Sequence, residues 1–173
     1  MHPDILMLNH PKLRVTAEKV EDFDTDMLFN ISTSMEEALK KYNAAGLAAP
    51  QIGLPIRLIV AKPLARLFVM VNPVITHREG LLISKEGCLS VPGFWDTLPR
   101  DRSIEVEYQD ITGRKDKEYL TGLESAVMQH EIDHLNGILF IDMLSSIKQD
   151  RAKKKVEIWK RRNQLKNQLR RNK

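Results

Sequence analysis

Cysteine is nearly absent: Cys88 is the only one in 173 residues. No internal disulfide is possible, so the chain reads as one made for a reducing compartment. Long apolar runs are lacking too. Stretches such as Leu67-Phe68-Val69-Met70-Val71 fall far short of the roughly 20 residues that cross a bilayer as a helix. The start, Met1-His2-Pro3-Asp4, has no basic segment leading into an apolar one, so no secretory signal is expected. Internal repeats are missing, as is low-complexity sequence apart from a basic tail. These absences predict a soluble, cytoplasmic protein with no membrane partner. What remains is ordinary globular material: 42% hydrophobic and 29% charged residues, enough for one domain with a real core.

The net charge of +4 hides an asymmetry. Twelve of the 27 basic residues but only two of the 23 acids, Asp150 and Glu157, fall between Lys148 and Lys173, which makes that segment +10 and the remainder −6. The expected organisation is a body over residues 1–146 and a basic helical extension over 147–173. Val156, Trp159, Leu165 and Leu169 give the extension an apolar stripe. A run of like charge is commonly a solvated helix docked by such a stripe, but it also fits nucleic acid or another acidic surface.

Hydrophobic periodicity predicts an α+β domain. Asp24 or Thr25 can cap a helix running to about Tyr42, with Leu28, Ile31, Met35, Ala38 and Leu39 at helical spacing, and Asn43 to Gly46 breaks it. Strands are expected at Arg57–Ala61, Leu67–Asn72, Leu81–Lys85 and Ser103–Tyr108. His77 to Gly80 reads as a turn between the second and third of these. Gln109 to Arg114 reads as a hairpin turn into a strand ending near Leu120. Helices follow at Gly122–Asn136, closed by Gly137, and from Lys148 to about Arg170. Strands and helices do not alternate regularly, so antiparallel strands around a central helix, with a C-terminal helix, are expected rather than a doubly wound sheet.

The central helix carries the chemistry. His130-Glu131-Ile132-Asp133-His134 is an H-E-x-x-H pattern, and residues four apart stack on one helical face, so both imidazoles reach one point. Glu131 can reach a water held there. The bland alternative is two helix histidines with a solvated acid between them. Against it, Leu123, Ala126, Val127, Met128 and Leu135 make the helix apolar, and buried imidazoles need partners, which a shared metal supplies. A catalytic metal site needs a third protein ligand and an open position. No histidine follows His134, and Asp142, Asp150 and Glu157 sit in no ligand motif. Upstream, Cys88 lies in Glu86-Gly87-Cys88-Leu89-Ser90, with Gly87 permitting a tight approach. One thiolate with two imidazoles suits zinc, iron, cobalt or nickel rather than magnesium or calcium. A third block, Gly46-Leu47-Ala48-Ala49-Pro50-Gln51, offers small residues and a neutral amide; alone it reads as a packed turn.

Taken in order, Ala44-Ala45-Gly46-Leu47-Ala48-Ala49-Pro50-Gln51, Glu86-Gly87-Cys88-Leu89-Ser90 and Gln129-His130-Glu131-Ile132-Asp133-His134 resemble the peptide deformylases, and the likeness extends from Pro11-Lys12-Leu13-Arg14 to Gly137-Ile138-Leu139-Phe140. The resemblance implies removal of the formyl group from the formyl-methionine of new polypeptides. It implies Cys88, His130 and His134 as ligands of ferrous iron, which Zn2+, Ni2+ or Co2+ could replace. It implies Glu131 as general base and then acid while a metal-bound hydroxide attacks the formyl carbon, with Gln51 and the backbone N–H of Leu89 as oxyanion donors. Substrate binding falls to Ala45, Gly46, Glu86, Leu123, Ala126 and Val127, with the Gly46 backbone pairing as an added strand. Glu86 is expected to pair with Arg100, and Asp133 to orient a ligand or cap a turn. Ala44 replaces the usual first glycine, which requires negative φ there. The basic tail resembles the ribosome-binding helix of some bacterial deformylases. Its removal after Ser146 is expected to spare turnover of a short formyl-peptide. Two rivals stand beside this reading: an H-E-x-x-H metallopeptidase, and a catalytically weak ribosome-binding member.

Overall fold

The computed structural model describes the backbone of residues 3–171 and the side chains of all of these except 166, 167, 170 and 171. Asn172 and Lys173, the end of the basic tail, lie outside the described residues. Helix α1 spans Thr25–Tyr42. Its first turn is closed by Asp24, whose carboxylate accepts from the backbone N–H of Met27 at 3.0 Å. It stops at Asn43, which takes the left-handed conformation at φ 50°, as a short polar side chain allows.

Five strands follow: β1 Gly46–Ala48, β2 Leu58–Ala61, β3 Phe68–Cys88, β4 Val91–Gln109 and β5 Lys115–Thr121. They form one antiparallel sheet in chain order. Helix α2 spans Leu123–Leu135 and α3 spans Ser146–Arg171. The α+β class expected from the sequence is the one observed.

The turn expected at His77 to Gly80 is absent. The two strands on either side of it are one 21-residue strand, β3. Across that segment the ladder to β4 continues, with Arg78 opposite Ile104, Glu79 opposite Ser103 and Leu81 opposite Asp101, and Arg78 reaches Asp101 at 2.6 Å. Gly80, which signalled a turn, instead takes φ 68° inside the strand. Irregularities between Val71 and Val74 and between Ile75 and His77 bend the strand upstream of it. Local composition favoured a turn, and the long-range pairing with β4 overrode it. The 19 residues of β4 likewise exceed the short strand expected at Ser103–Tyr108, because β3 supplies a partner along their length. Strand β1 carried no strand signal of its own.

Burial explains the layering. All four residues of β2 are buried. Leu58 and Val60 face α1 residues Leu28, Met35 and Leu39, whereas Ile59 and Ala61 face α2 residues Met128, Ile132 and Leu135. A strand covered on both sides loses the apolar–polar alternation. A third cluster joins Leu8, Val91, Leu98, Phe140 and Ile141 to Ala152 and Val156 of α3.

Helix α3 is therefore no free extension in its first half. Ala152 and Val156 are 0% and 1% exposed, and Lys148 bonds Asp96 of β4 at 2.8 Å. Leu165 and Leu169, further along the expected stripe, are exposed. Truncation after Ser146 would strip Ala152 and Val156 from the third cluster. Val156→Ala removes two buried carbons and leaves a cavity, at a cost of roughly 2 kcal/mol. Thermal melts should place its Tm several degrees below that of the unaltered protein, whereas Ile147→Ala, at a residue 66% exposed, should leave Tm nearly unchanged.

Candidate metal centre and cleft

Cys88 ends β3 and pairs with Val91, so Leu89 and Ser90 form a two-residue turn. The sulfur thus sits at the tip of a hairpin whose register is held over most of two long strands. His130 and His134 lie one turn apart on α2, with rings edge to face at 5.0 Å between centroids. Together Cys88, His130 and His134 bring one ligand atom each to within 4.8 Å of one another. The sulfur is 3.3 Å from Nε2 of His134. The three candidate ligands meet as the sequence requires.

The surroundings fit a cation at that point. His130 points Nδ1 at Glu86 at 2.8 Å, which leaves Nε2 for the convergence point; a carboxylate behind a ligating imidazole fixes its orientation and makes it a better donor. Burial works against the His130 imidazolium, but the Cys88 sulfur and the Glu86 carboxylate outweigh it and raise its pKa well above the ordinary value. Burial, with His130 and Arg100 adding to it, lowers that of His134 well below. A divalent metal meeting the sulfur and the two imidazoles would supply positive charge at that point. Two buried polar atoms, Oε2 of Glu131 and Nδ1 of His134, have no hydrogen-bond partner among the described residues. Orphaned buried atoms of this kind are costly unless something else meets them.

Glu131 is 3% exposed, and burial pushes its carboxyl up to about 7. It reaches across to the sheet edge: a Cβ on Gly46 would collide with its carboxylate. Glycine is required at 46 by this close approach, not by an unusual φ. Ala44 is not among the residues with positive φ, so alanine is accommodated there.

Gln51 is fixed from both ends. Its Oε1 accepts from the backbone N–H of Ala48 at 2.8 Å, and its Nε2 donates to Sγ of Cys88 at 3.4 Å and to Oγ of Ser90 at 3.3 Å. The Ser90 backbone N–H also donates to that sulfur at 3.4 Å. Ser90 lay in the quoted block but received no role; the convergence of its hydroxyl and backbone on Gln51 and Cys88 is visible only in three dimensions. Leu89 lines the cleft at the hairpin turn and packs its side chain on the α1 cluster.

Glu86 lines the cleft, yet its carboxylate is committed inward. Arg100 donates to it through Nε at 2.8 Å and through a terminal nitrogen at 3.0 Å. The same guanidinium bonds Asp133 at 2.6 Å, so Asp133 anchors Arg100 and acts on His130 only through Arg100 and Glu86. Burial alone would raise Glu86, but His130 and Arg100 outweigh burial and bring it from 4.5 to about 2.

Cys88, His130 and Glu131 line a cleft of about 750 Å³, and His134 lies buried beside them. Ala45, Gly46, Leu123, Ala126 and Val127 line it as expected. Tyr42, Met7, Phe94, Trp95 and Trp159 line it too, and sequence reasoning missed them. Trp95 lies against Gly87, where a Cβ would stand 2.6 Å from the indole.

The family model described as polypeptide deformylase matches residues 3–150. A peptide deformylase of Thermus thermophilus is 43% identical over 163 residues, covering 84% of each chain. One from Desulfotalea psychrophila is 41% identical over 155 residues, covering 86% of this chain and 91% of its own. The crystal structure of a peptide deformylase from Legionella pneumophila superposes with a TM-score of 0.90 at 38% identity, covering 94% of this chain and 98% of that one. None of the helices in the described residues is long and apolar enough to cross a membrane. With a family match over most of its length, and a Cys-His-His cluster in the cleft, this chain belongs to the polypeptide deformylase family of hydrolases.

Proposed function

We propose that the protein hydrolyses the formyl group from the N-terminal formyl-methionine of newly made polypeptides, with Cys88, His130 and His134 holding a divalent metal, ferrous iron as the native ion and Zn2+, Ni2+ or Co2+ as substitutes. The observation that carries the reading is the meeting of one sulfur and two imidazoles within 4.8 Å, beside a buried carboxylate with an unpartnered oxygen. When bound, such a metal acts as a Lewis acid and brings the pKa of its water towards neutrality.

The residues of the chain do the rest. Glu131, its carboxyl pushed up to about 7 by burial, takes the proton from the attacking water and returns it to the departing methionine amine. The Gln51 amide and the Leu89 N–H meet the oxygen of the formyl group as it gains charge. The side chain of methionine enters between Ala45, Leu123, Ala126 and Val127. The substrate backbone lies along β1, which pairs with β2 on one side only, so Gly46 can accept an added strand. Ala126 is small, which widens the methionine pocket. The Glu86 carboxylate positions His130, so Glu86 meets substrate through its backbone in the cleft wall. These steps take place in the cytoplasm. A metallopeptidase reading shares the H-E-x-x-H pattern, but it accounts for neither the cysteine ligand nor the family match.

We also assign the exposed bases of α3, among them Lys154, Lys155, Arg161 and Arg162, to docking on the ribosome. The reacting residues then lie within 1–146 and the docking bases within 147–173, a helix whose first half also packs on the body.

Three outcomes test the reading. Glu131→Gln should keep its metal by elemental analysis yet release formate from formyl-Met-Ala roughly 10²–10⁴-fold more slowly; turnover equal to that of the unaltered chain would remove Glu131 from the mechanism. Glu86→Gln should lose about 3 kcal/mol at neutral pH, because Arg100 and His130 lose a buried partner. Since the folded pKa of Glu86 lies below its ordinary value, its contribution is complete above about 4.5 and fades as pH falls through about 2. Denaturant titrations should therefore show the gap between the two proteins closing over that window. Replacing Lys154, Lys155, Arg161 and Arg162 by Gln should weaken ribosome co-sedimentation and flatten its dependence on salt, and unchanged sedimentation would sink the docking assignment.

A further inference from the structure

The cleft has a wall that comes from the C-terminal helix. Trp159 lines it from α3, three residues beyond Val156 and seven beyond Ala152. Positions at i, i+4 and i+7 share one helical face, so the stripe that docks α3 on the body runs on into the cleft. The docking itself is complete without the indole: Ala152 and Val156 are fully buried in the cluster with Leu8, Val91, Leu98 and Phe140, and Lys148 is tied to Asp96. Trp159 is left 38% exposed. A residue that only anchored the helix would be covered by the body, as Val156 is. Instead a large rigid side chain, costly in exposed apolar surface, stands in the wall of an open cleft.

That wall is apolar. Met7, Pro92, Phe94 and Trp95 line the cleft together with Trp159, and Phe94 packs on the cluster that seats α3. The methionine pocket of Ala45, Leu123, Ala126 and Val127 is built instead from α2 and from the segment entering β1. The aromatic wall thus comes from other elements than that pocket, within the same cleft. It is available to the part of a peptide that continues past its first residue.

Given the deformylase reading of the cleft, on which this step rests, we propose that Trp159 is a specificity-determining residue. Its indole receives an apolar or aromatic side chain downstream of the formyl-methionine, so the C-terminal helix selects among nascent sequences as well as carrying the basic surface. Tryptophan suits this task because it offers a wide, stiff apolar face at little cost in side-chain entropy.

The test uses the metal-loaded full-length chain and two substrates, formyl-Met-Ala and formyl-Met-Ala-Phe. The unaltered protein should prefer the longer peptide. In Trp159→Ala that preference should fall by roughly tenfold, the scale of one lost apolar contact, with the change in KM, and Trp159→Phe should restore most of it. A second measurement does not depend on truncating the side chain. The chain has two tryptophans, so Trp95→Phe leaves Trp159 as the sole indole, and Glu131→Gln in the same chain blocks turnover. Titration with formyl-Met-Ala-Phe should shift its emission saturably, and formyl-Met-Ala should shift it far less. Equal losses on both substrates, or an emission that ignores the longer peptide although the unaltered protein releases formate from it, would overturn the assignment alone. Formate release from neither substrate by the unaltered protein would overturn the deformylase reading and this assignment with it.

Discussion

One buried carboxylate holds the site together. Glu86 accepts two hydrogen bonds from Arg100 on β4 and one from His130 on α2, and Asp133, one helical turn after His130, takes the far side of the same guanidinium. Arg100 and Glu86 are 6% and 7% exposed. Charges so far from water are tolerated only as a closed set, and loss of one member strands the others. The set also fixes geometry. Glu86 and Cys88 are two residues apart near the end of β3, so the hold on Glu86 sets where the Cys88 sulfur stands relative to the helix. The alignment of sulfur and imidazoles therefore depends on an ion-pair chain that contains none of the three proposed ligands except His130.

Around this chain the fold keeps one flank rigid and the other open. Strand β2, buried on both faces, ties α1 and α2 to the middle of the sheet. Strand β1, beside it, has a free edge, and there Gly46 lets the Glu131 carboxylate come against the backbone. A larger residue at 46 would force the carboxylate and the strand apart. This arrangement places the buried Glu131 carboxylate, the Cys-His-His cluster and the edge of β1 in one small space.

Helix α3 joins two roles that its sequence presented separately. Its charge pattern pointed outward, to an acidic surface, and its apolar stripe pointed to docking. Docking turns out to involve the first half of the stripe, through Ala152 and Val156, and to deliver the next member, Trp159, to the cleft. The same helix thus touches both the proposed substrate path and the proposed docking surface.

Much of this was legible in the residues alone. The H-E-x-x-H spacing placed both imidazoles on one helical face because the helix repeat does so irrespective of tertiary context, and a single cysteine beside a glycine was the one thiolate donor available. The capped helix from Thr25 to Tyr42 and the α+β class followed from periodicity for the same reason. What the sequence could not decide was whatever depends on a distant partner. The segment His77 to Gly80 has the composition of a turn and becomes strand because β4 pairs with it; Asp133 looks like a surface acid until Arg100 arrives from 33 residues away; Ser90 and Trp159 gain their neighbours only when the chain closes. Local spacing is set by covalent geometry and can be counted along the chain, whereas register, shared burial and the walls of a cleft arise from contacts between segments far apart in sequence, and these exist only once the whole chain has folded.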